Sequence, residues 1–321
     1  MKSSLMFIVT ICALVVAAFS DDYAKSLSAG EGFVDVPGGK VWYRIVGSGE
    51  KTPLLVVHGG PGIPAYYLKP LAGLSVDRPV IFFDQLGCGH SQCPNDTAQW
   101  VLQKFVDEIP AIRKTLGLKK IHLYGHSWGT MLATDYLLTR PSGVISCIMA
   151  GPALSIPLWL KGTDSLLGTL PDSIQQVIKK CEAARTFDAP EYQNALMSFY
   201  QLYVARKLPW SADIDSSFAG MNNAMYNYMQ GASEFTITGT LKDYDRTRQL
   251  DQIRVPTLIV VGEFDESVPA NAKKYQSLIP GAKLEIIPHA GHLAMQDDSA
   301  TYVDAIRVFL DSVDNATNVP R

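Results

Sequence analysis

The segment Tyr124-Gly125-His126-Ser127-Trp128-Gly129-Thr130 constrains this chain more than any other. An apolar run, KIHLYGHS, leads into it, and a stretch with helical spacing, Trp128 to Arg140, leads out. A serine between two glycines at a strand-to-helix turn carries a specific mechanical meaning. The turn is strained and lifts the serine hydroxyl clear of the sheet, and a side chain at either glycine would strike the neighbouring strand or helix. The pattern without its context arises often by chance. Between a strand and a helix it marks Ser127 as a candidate nucleophile.

The rest of the sequence supplies a scaffold for such a turn. VWYRIV, PLLVVHG, PVIFFD, VISCIMAG, TLIVVGE and KLEIIP are short apolar runs, and the middle ones lack polar alternation, as parallel strands buried on both faces do. Helical spacing over Trp100 to Leu116 and Trp128 to Arg140 separates them. Strand alternating with helix predicts an α/β fold with a mostly parallel central sheet flanked by helices. The alternation fails between Pro152 and Asp245. That region is rich in Met, Tyr, Leu and Gln and shows helical candidates at Ser173–Ala184 and Glu191–Ala205. It reads as a helical cap, residues 152–245, inserted after the sixth core strand. Core segments 21–151 and 246–321 flank it, and residues 1–20 stand apart.

A serine nucleophile needs a base and a group that orients the base. On a sheet of this kind they follow in the order serine, acid, histidine. His292 follows the last apolar run at loop distance and precedes an apparent helix, which favours it over His289. His58, His90, His122 and His126 lie before or beside the serine and fit the order badly. The acid belongs at the end of a strand before the histidine, and GEFDESVP is that place. Glu263 ends the strand itself, whereas Asp265 stands in the loop and is the expected partner of His292. The glycine-rich VVHGGPG follows an earlier strand and suits an oxyanion hole, because glycine lets backbone N–H groups approach a developing negative charge. Gly60, with Gly59 as the alternative, and Trp128, the residue after the nucleophile, are the expected donors. A phosphate loop is excluded, since neither a following Lys-Ser/Thr nor G-x-G-x-x-G is present.

Residues 1–20 carry Lys2, an almost unbroken apolar run from Leu5 to Ala18, and small residues before a cut near Ser20. This predicts a secretory signal peptide and a secreted protein with no stable membrane association after its removal; the run is short for a membrane span. Of the five cysteines, Cys12 leaves with this segment. Cys88 and Cys93 are close enough to bridge in an oxidising compartment. Asn95-Asp96-Thr97 and Asn315-Ala316-Thr317 are glycosylation sequons. A formal charge of −3 with no basic stripe excludes a nucleic-acid partner, and no Cys/His spacing suits a metal.

HGGPG, FDQLGCGHS, GHSWGT, GEFDESVP and a late Gly-His together resemble the proline iminopeptidase family of α/β-hydrolases. SEFTITGTLKDYD within the cap resembles the tricorn-interacting aminopeptidases of that family. The resemblance implies an α/β-hydrolase fold and a serine hydrolase that needs no cofactor. It implies release of an N-terminal residue from short peptides or amino-acid amides through an acyl-enzyme. It also implies two acids that hold the free ammonium of the substrate, at positions matching Glu234 and Glu266, while Glu263 stays structural. Tyr226, Tyr228 and Met229 would then wall the substrate's side chain. The chain departs from the family at Leu86, where an arginine is usual, and at His90, another common arginine position, which weakens the expectation of a strict proline preference. A carboxylesterase or lipase-like activity, or a specialised biosynthetic amide hydrolysis, would use the same serine, acid and histidine but have no use for Glu234 and Glu266.

Overall fold

The computed structural model describes residues 27–317, so the expected signal peptide and Cys12 lie outside the described residues. Eight strands form one sheet in the order β1-β2-β4-β3-β5-β6-β7-β8. They are β1 (Gly30–Val36), β2 (Gly39–Val46), β3 (Leu54–Val57), β4 (Val80–Phe83), β5 (Ile121–His126), β6 (Val144–Ala150), β7 (Thr257–Gly262) and β8 (Lys283–Ile287). The first two pairings, β1 with β2 and β2 with β4, are antiparallel; the others are parallel. Every residue of β3, β4, β5 and β7 is buried, which is why these runs show no polar alternation. β1 was not expected. Its sequence, GEGFVDV, buries only Val34 and Val36 fully, as an edge strand can.

Helices α1 (Leu102–Thr115) and α2 (Trp128–Leu138) cover one face of the sheet. Ile109 and Ile112 of α1 and Leu132 of α2 share a core there with Leu55, Leu123 and Ile259 of the strands. Five helices lie between β6 and β7: α3 (Ile156–Leu167), α4 (Asp172–Ala184), α5 (Pro190–Tyr203), α6 (Ala212–Ala219) and α7 (Asn223–Met229). They form the cap. Its helices α4 and α5 share a small core of their own, with Ile178, Tyr192 and Phe199 at its centre. After β7 come α8 (Pro269–Leu278), α9 (Ala294–Asp297) and α10 (Ser299–Thr317). The opposite face of the sheet is filled by a 3₁₀ segment, Ala65–Leu74, and by α10, through Leu68, Leu71, Ile306 and Leu310. Burying each such side chain contributes about 1.5–3 kcal/mol. The cysteines Cys88, Cys93, Cys147 and Cys181 are all free thiols. Cys88 is buried with its Sγ against Gln85 O, whereas Cys93 is exposed and points to Ser91 O.

Candidate active site

Ser127 sits at the C-terminal end of β5, at the turn into α2, with φ 52° and ψ −121°. That left-handed backbone is strained for a side-chain-bearing residue. Its surroundings hold it there. Ser127 N–H donates to Ala150 O at 2.9 Å, and Thr130 binds Ser127 O through both its N–H and its hydroxyl. The flanking glycines are needed for space. A Cβ on Gly129 would collide with the carbonyl oxygens of Val57 and His58, and one on Gly125 with the backbone of Gly129.

His292 lies in the loop between β8 and α9. Its Nδ1 is 2.7 Å from Asp265 Oδ1, and both side chains are buried. Asp265 Oδ1 also accepts from Ser267 N–H at 2.7 Å, and Oδ2 from Gly262 N–H at 3.3 Å. A carboxylate ringed by donors accepts from the imidazole too, so the ring proton belongs on Nδ1 and Nε2 presents its lone pair to the cavity. Ser127 and His292 line the same cavity, together with Gly60, Trp128, Glu234 and Glu266. With Asp265 bonded to His292, the structure therefore brings together the expected serine, acid and histidine, both expected N–H donors and both expected amine-binding acids. His289 is exposed and φ-positive, with its N–H on Glu263 Oε2 at 2.8 Å; this pair shapes the loop.

Two side chains that the sequence did not single out organise the glycine loop expected to supply an oxyanion donor. Tyr67 OH accepts from Gly59 N–H at 2.7 Å and lies 2.8 Å from His126 Nδ1. His126 is buried, which pushes its pKa well below the usual value, and the nearby His292 adds to this. It is therefore neutral. Its Nε2 faces a pure acceptor, His292 O at 3.1 Å, and so carries the proton. Nδ1 must then accept, and the Tyr67 hydroxyl donates to it. This directed chain joins the glycine loop to the backbone of His292. It also occupies Gly59 N–H, which leaves Gly60 N–H as this loop's candidate donor. The second organiser is Gln85, which is buried. Its Nε2 donates to His58 O at 2.9 Å, and its Oε1 accepts from Trp128 Nε1 at 2.8 Å. Its N–H donates to His58 Nε2 at 2.8 Å, so the His58 proton sits on Nδ1, against Gly59 O. One residue thus ties the strand that leads into HGGPG to the side chain of Trp128. Leu86, at the position where the family resemblance expects an arginine, is buried, and its N–H donates to Glu108 Oε1 at 3.0 Å. Burial holds the Glu108 carboxyl well above the usual range.

Glu266 directly follows Asp265 and is buried; its Oε1 is 3.8 Å from His292 Nε2. Its Oε2 lacks a hydrogen-bond partner among the described residues. Burial, with Glu234 and Asp265 adding repulsion, raises its pKa well above the ordinary carboxylate value. Glu234 enters from the cap. Tyr226 OH donates to its Oε1 and Gln230 Nε2 to its Oε2, which offsets part of the upward shift that burial causes. Of the expected substrate wall, only Tyr226 lines the cavity. Tyr228 points outward, edge-on to Trp100, and Met229 is fully buried in the core. Trp159 stands edge-on to the His292 ring, with its indole Nε1 donating to Glu234 O at 3.2 Å.

A positioned serine, a histidine with its proton fixed by an aspartate, and free N–H groups at a helix start can carry out nucleophilic acyl transfer. Two acids without cationic partners beside them can hold an amine.

Residues 52–299 match a family model described as alpha/beta hydrolase fold. A proline iminopeptidase of Heyndrickxia coagulans is 42% identical over 285 residues, which span 88% of this chain and 99% of that protein. Among solved structures, that of VinJ has a TM-score of 0.85 at 32% identity, covering 88% of this chain and 99% of the other. A Mycobacterium smegmatis proline iminopeptidase has a TM-score of 0.84 at 30% identity, covering 90% and 100%.

Proposed function

The chain belongs to the proline iminopeptidase family of α/β-hydrolases, and from that premise we propose that it is a serine exopeptidase releasing N-terminal proline, or another small apolar residue, from short peptides and amino-acid amides. Ser127 Oγ attacks the carbonyl carbon of the first residue while His292 Nε2 takes its proton. The negative oxygen is held by Gly60 N–H and Trp128 N–H. The C–N bond then breaks, and His292 returns the proton to the departing amine. Water, deprotonated by the same nitrogen, releases the first residue from the acyl-serine. Asp265 keeps the histidine proton on Nδ1 throughout.

The observation that carries this reading is the acidic pair. The α-nitrogen of a substrate is only two bonds from the carbonyl carbon, so whatever holds it must stand beside the nucleophile and the base. Glu266, at 3.8 Å from His292 Nε2, and Glu234 stand there. Burying two carboxylates with no cation beside them costs free energy that a cleaving ester pocket has no reason to bear; an ammonium between them removes the cost.

The test compares prolyl-p-nitroanilide, with its amine free and acetylated, against p-nitrophenyl acetate, using Ser127→Ala as the blank. The expected result is cleavage of the free-amine anilide alone, reduced by several orders of magnitude in Ser127→Ala. Ester turnover with no preference for a free amine overturns the reading in favour of an esterase.

We also propose that the mature enzyme is exported, on the strength of the apolar segment and small residues before Ser20. Asn95 and Asn315 are exposed, as glycan attachment requires, and no helix of the described residues is long and apolar enough to cross a membrane. N-terminal sequencing of protein recovered from the medium tests this; a chain beginning at Met1 refutes it.

A further inference from the structure

The cavity is larger than the release of one residue demands. Its volume is about 1380 Å³, against roughly 300–1,000 Å³ for pockets that enclose drug-sized ligands. The acidic pair is one part of its lining. An apolar flank is another, made of Val204, Trp210, Ile214, Phe218, Met221 and Leu293.

This apolar flank is built onto the base. His292 N–H donates to Tyr203 O at 2.8 Å and Leu293 N–H to Val204 O at 2.7 Å, so the histidine loop is paired with the chain that leaves α5. Trp210 closes back on the same chain, its indole Nε1 donating to Ala205 O at 2.9 Å. The Trp210 ring lies nearly parallel to Phe218, with centroids 5.6 Å apart and 17° between planes. Phe218 in turn stacks on Tyr200 at 6.1 Å and 22°. All three rings line the cavity and are half-buried. The stack runs from Tyr200, whose phenol feels both Glu234 and Glu266, to Trp210 on the segment bonded to the histidine loop. Ser217 beside it offers nothing polar to a ligand, since its hydroxyl accepts from Tyr67 N–H and donates to Asp213 O.

Chemistry decides what lies on this flank. His292 must hand its proton to the departing amine, so the part of the substrate beyond the scissile bond passes along the side to which the histidine is tied. Aromatic faces whose indole N–H and neighbouring Ser217 hydroxyl are already bonded within the protein favour apolar and aromatic side chains. We propose that the Trp210–Phe218–Tyr200 wall is a leaving-group subsite, and that it selects peptides whose second residue carries a large apolar or aromatic side chain. The proposal rests on the exopeptidase reading above and adds to it the class of peptide that is cut.

The experiment measures kcat/KM on dipeptide amides, with the first residue fixed as proline in one series and alanine in another, and Gly, Glu, Leu or Phe second. Phe and Leu in second place should exceed Gly by about 10- to 100-fold, with Glu lowest. In Phe218→Ala and Trp210→Ala the Phe/Gly ratio should fall to within about threefold of one; Phe218→Leu, the milder change, should fall between. Equal rates for Gly and Phe in the native protein overturn the proposal without touching the exopeptidase reading. So does a Phe/Gly ratio that survives in all three variants, or a shift in the preference for the first residue instead of the second. If no free-amine dipeptide amide is cut while Ser127-dependent ester turnover persists, the exopeptidase reading fails and takes the subsite with it.

Discussion

Glu266 works against the stability of the free protein. Its folded-state pKa lies above the ordinary carboxylate value because it is buried beside two other acids. Below the ordinary value, both folded and unfolded chains hold the proton and burial carries no penalty. As pH rises past it, the unfolded chain releases its proton first, and folding becomes progressively less favourable until the folded-state pKa is passed. Glu266→Gln removes that slope. Its melting temperature should match the native protein near pH 4 and exceed it at pH 7–8, as read by calorimetry across pH; a variant that melts lower at pH 8 contradicts the account. The same substitution should raise KM for free-amine substrates by roughly 10- to 100-fold, the worth of one hydrogen bond to a charged group. The two readouts move in opposite directions, as expected of a residue kept for binding at the expense of folding. A pH dependence of KM belongs to the same group. Binding of the ammonium should weaken as pH falls through a range above the normal carboxylate one, because the acid that receives it is then neutral.

Gln85 acts one level up, because it fixes two chain segments relative to each other. Its amide spans from His58 O to Trp128 Nε1, at 2.9 and 2.8 Å. The first of these sits just before the glycine loop, and the second on the residue whose N–H opens α2. Gln85→Met keeps the size and removes both bonds. The oxyanion donors should then lose register, and kcat should fall by roughly 10- to 100-fold with KM near native. A purely structural role would instead lower the melting temperature and leave kcat alone. Trp128→Phe deletes the same bond from the other end, so the double variant should lose little more than Gln85→Met. None of this is written in local sequence. Ser127, His292 and Asp265 are legible because their turns and strand ends carry compositional signals, and Glu234 and Glu266 because of a family resemblance. Gln85 and Tyr67 are ordinary residues whose partners lie 43 and 59 positions away. The same division holds for the elements. β3 and β4 show as unbroken apolar runs, and β5 and β7 as mostly apolar ones, because they are buried on both faces. β1, an edge strand with two glycines and an exposed Phe33, has too little apolar pattern to stand out. In the cap, α3, α6 and α7 are short or irregular in spacing, and only α4 and α5, which pack on each other, are evident beforehand.

At the level of the molecule, two of the places where the cap is bolted to the core touch the chemistry. One is at the glycine loop, where Asn222 N–H donates to Gly62 O at 2.9 Å and its Nδ2 to Gly87 O at 2.8 Å. The other is at the histidine loop and centres on Asp297. Its Oδ1 accepts from the N–H groups of Arg206 and Lys207, both at 2.8 Å, and its Oδ2 from Gly291 N–H at 2.8 Å. One carboxylate therefore holds the end of α5's exit chain and the residue before His292 together. Asp297→Ala frees three backbone donors and should destabilise by about 1–3 kcal/mol. The informative readout is local. Amide exchange at residues 203–206 and 291–293 should speed up while the amides of β5 and β6 stay protected, since local opening needs only the loss of this clasp and not of the core. Turnover should fall with it, because His292 and the wall at Trp210 lose their shared support. Asp297→Asn, which keeps the Oδ1 acceptor, should recover part of both. If exchange at 291–293 does not change, the backbone bonds of His292 and Leu293 to Tyr203 and Val204, with the apolar packing around Val204, Leu293 and Met295, seat the loop without Asp297.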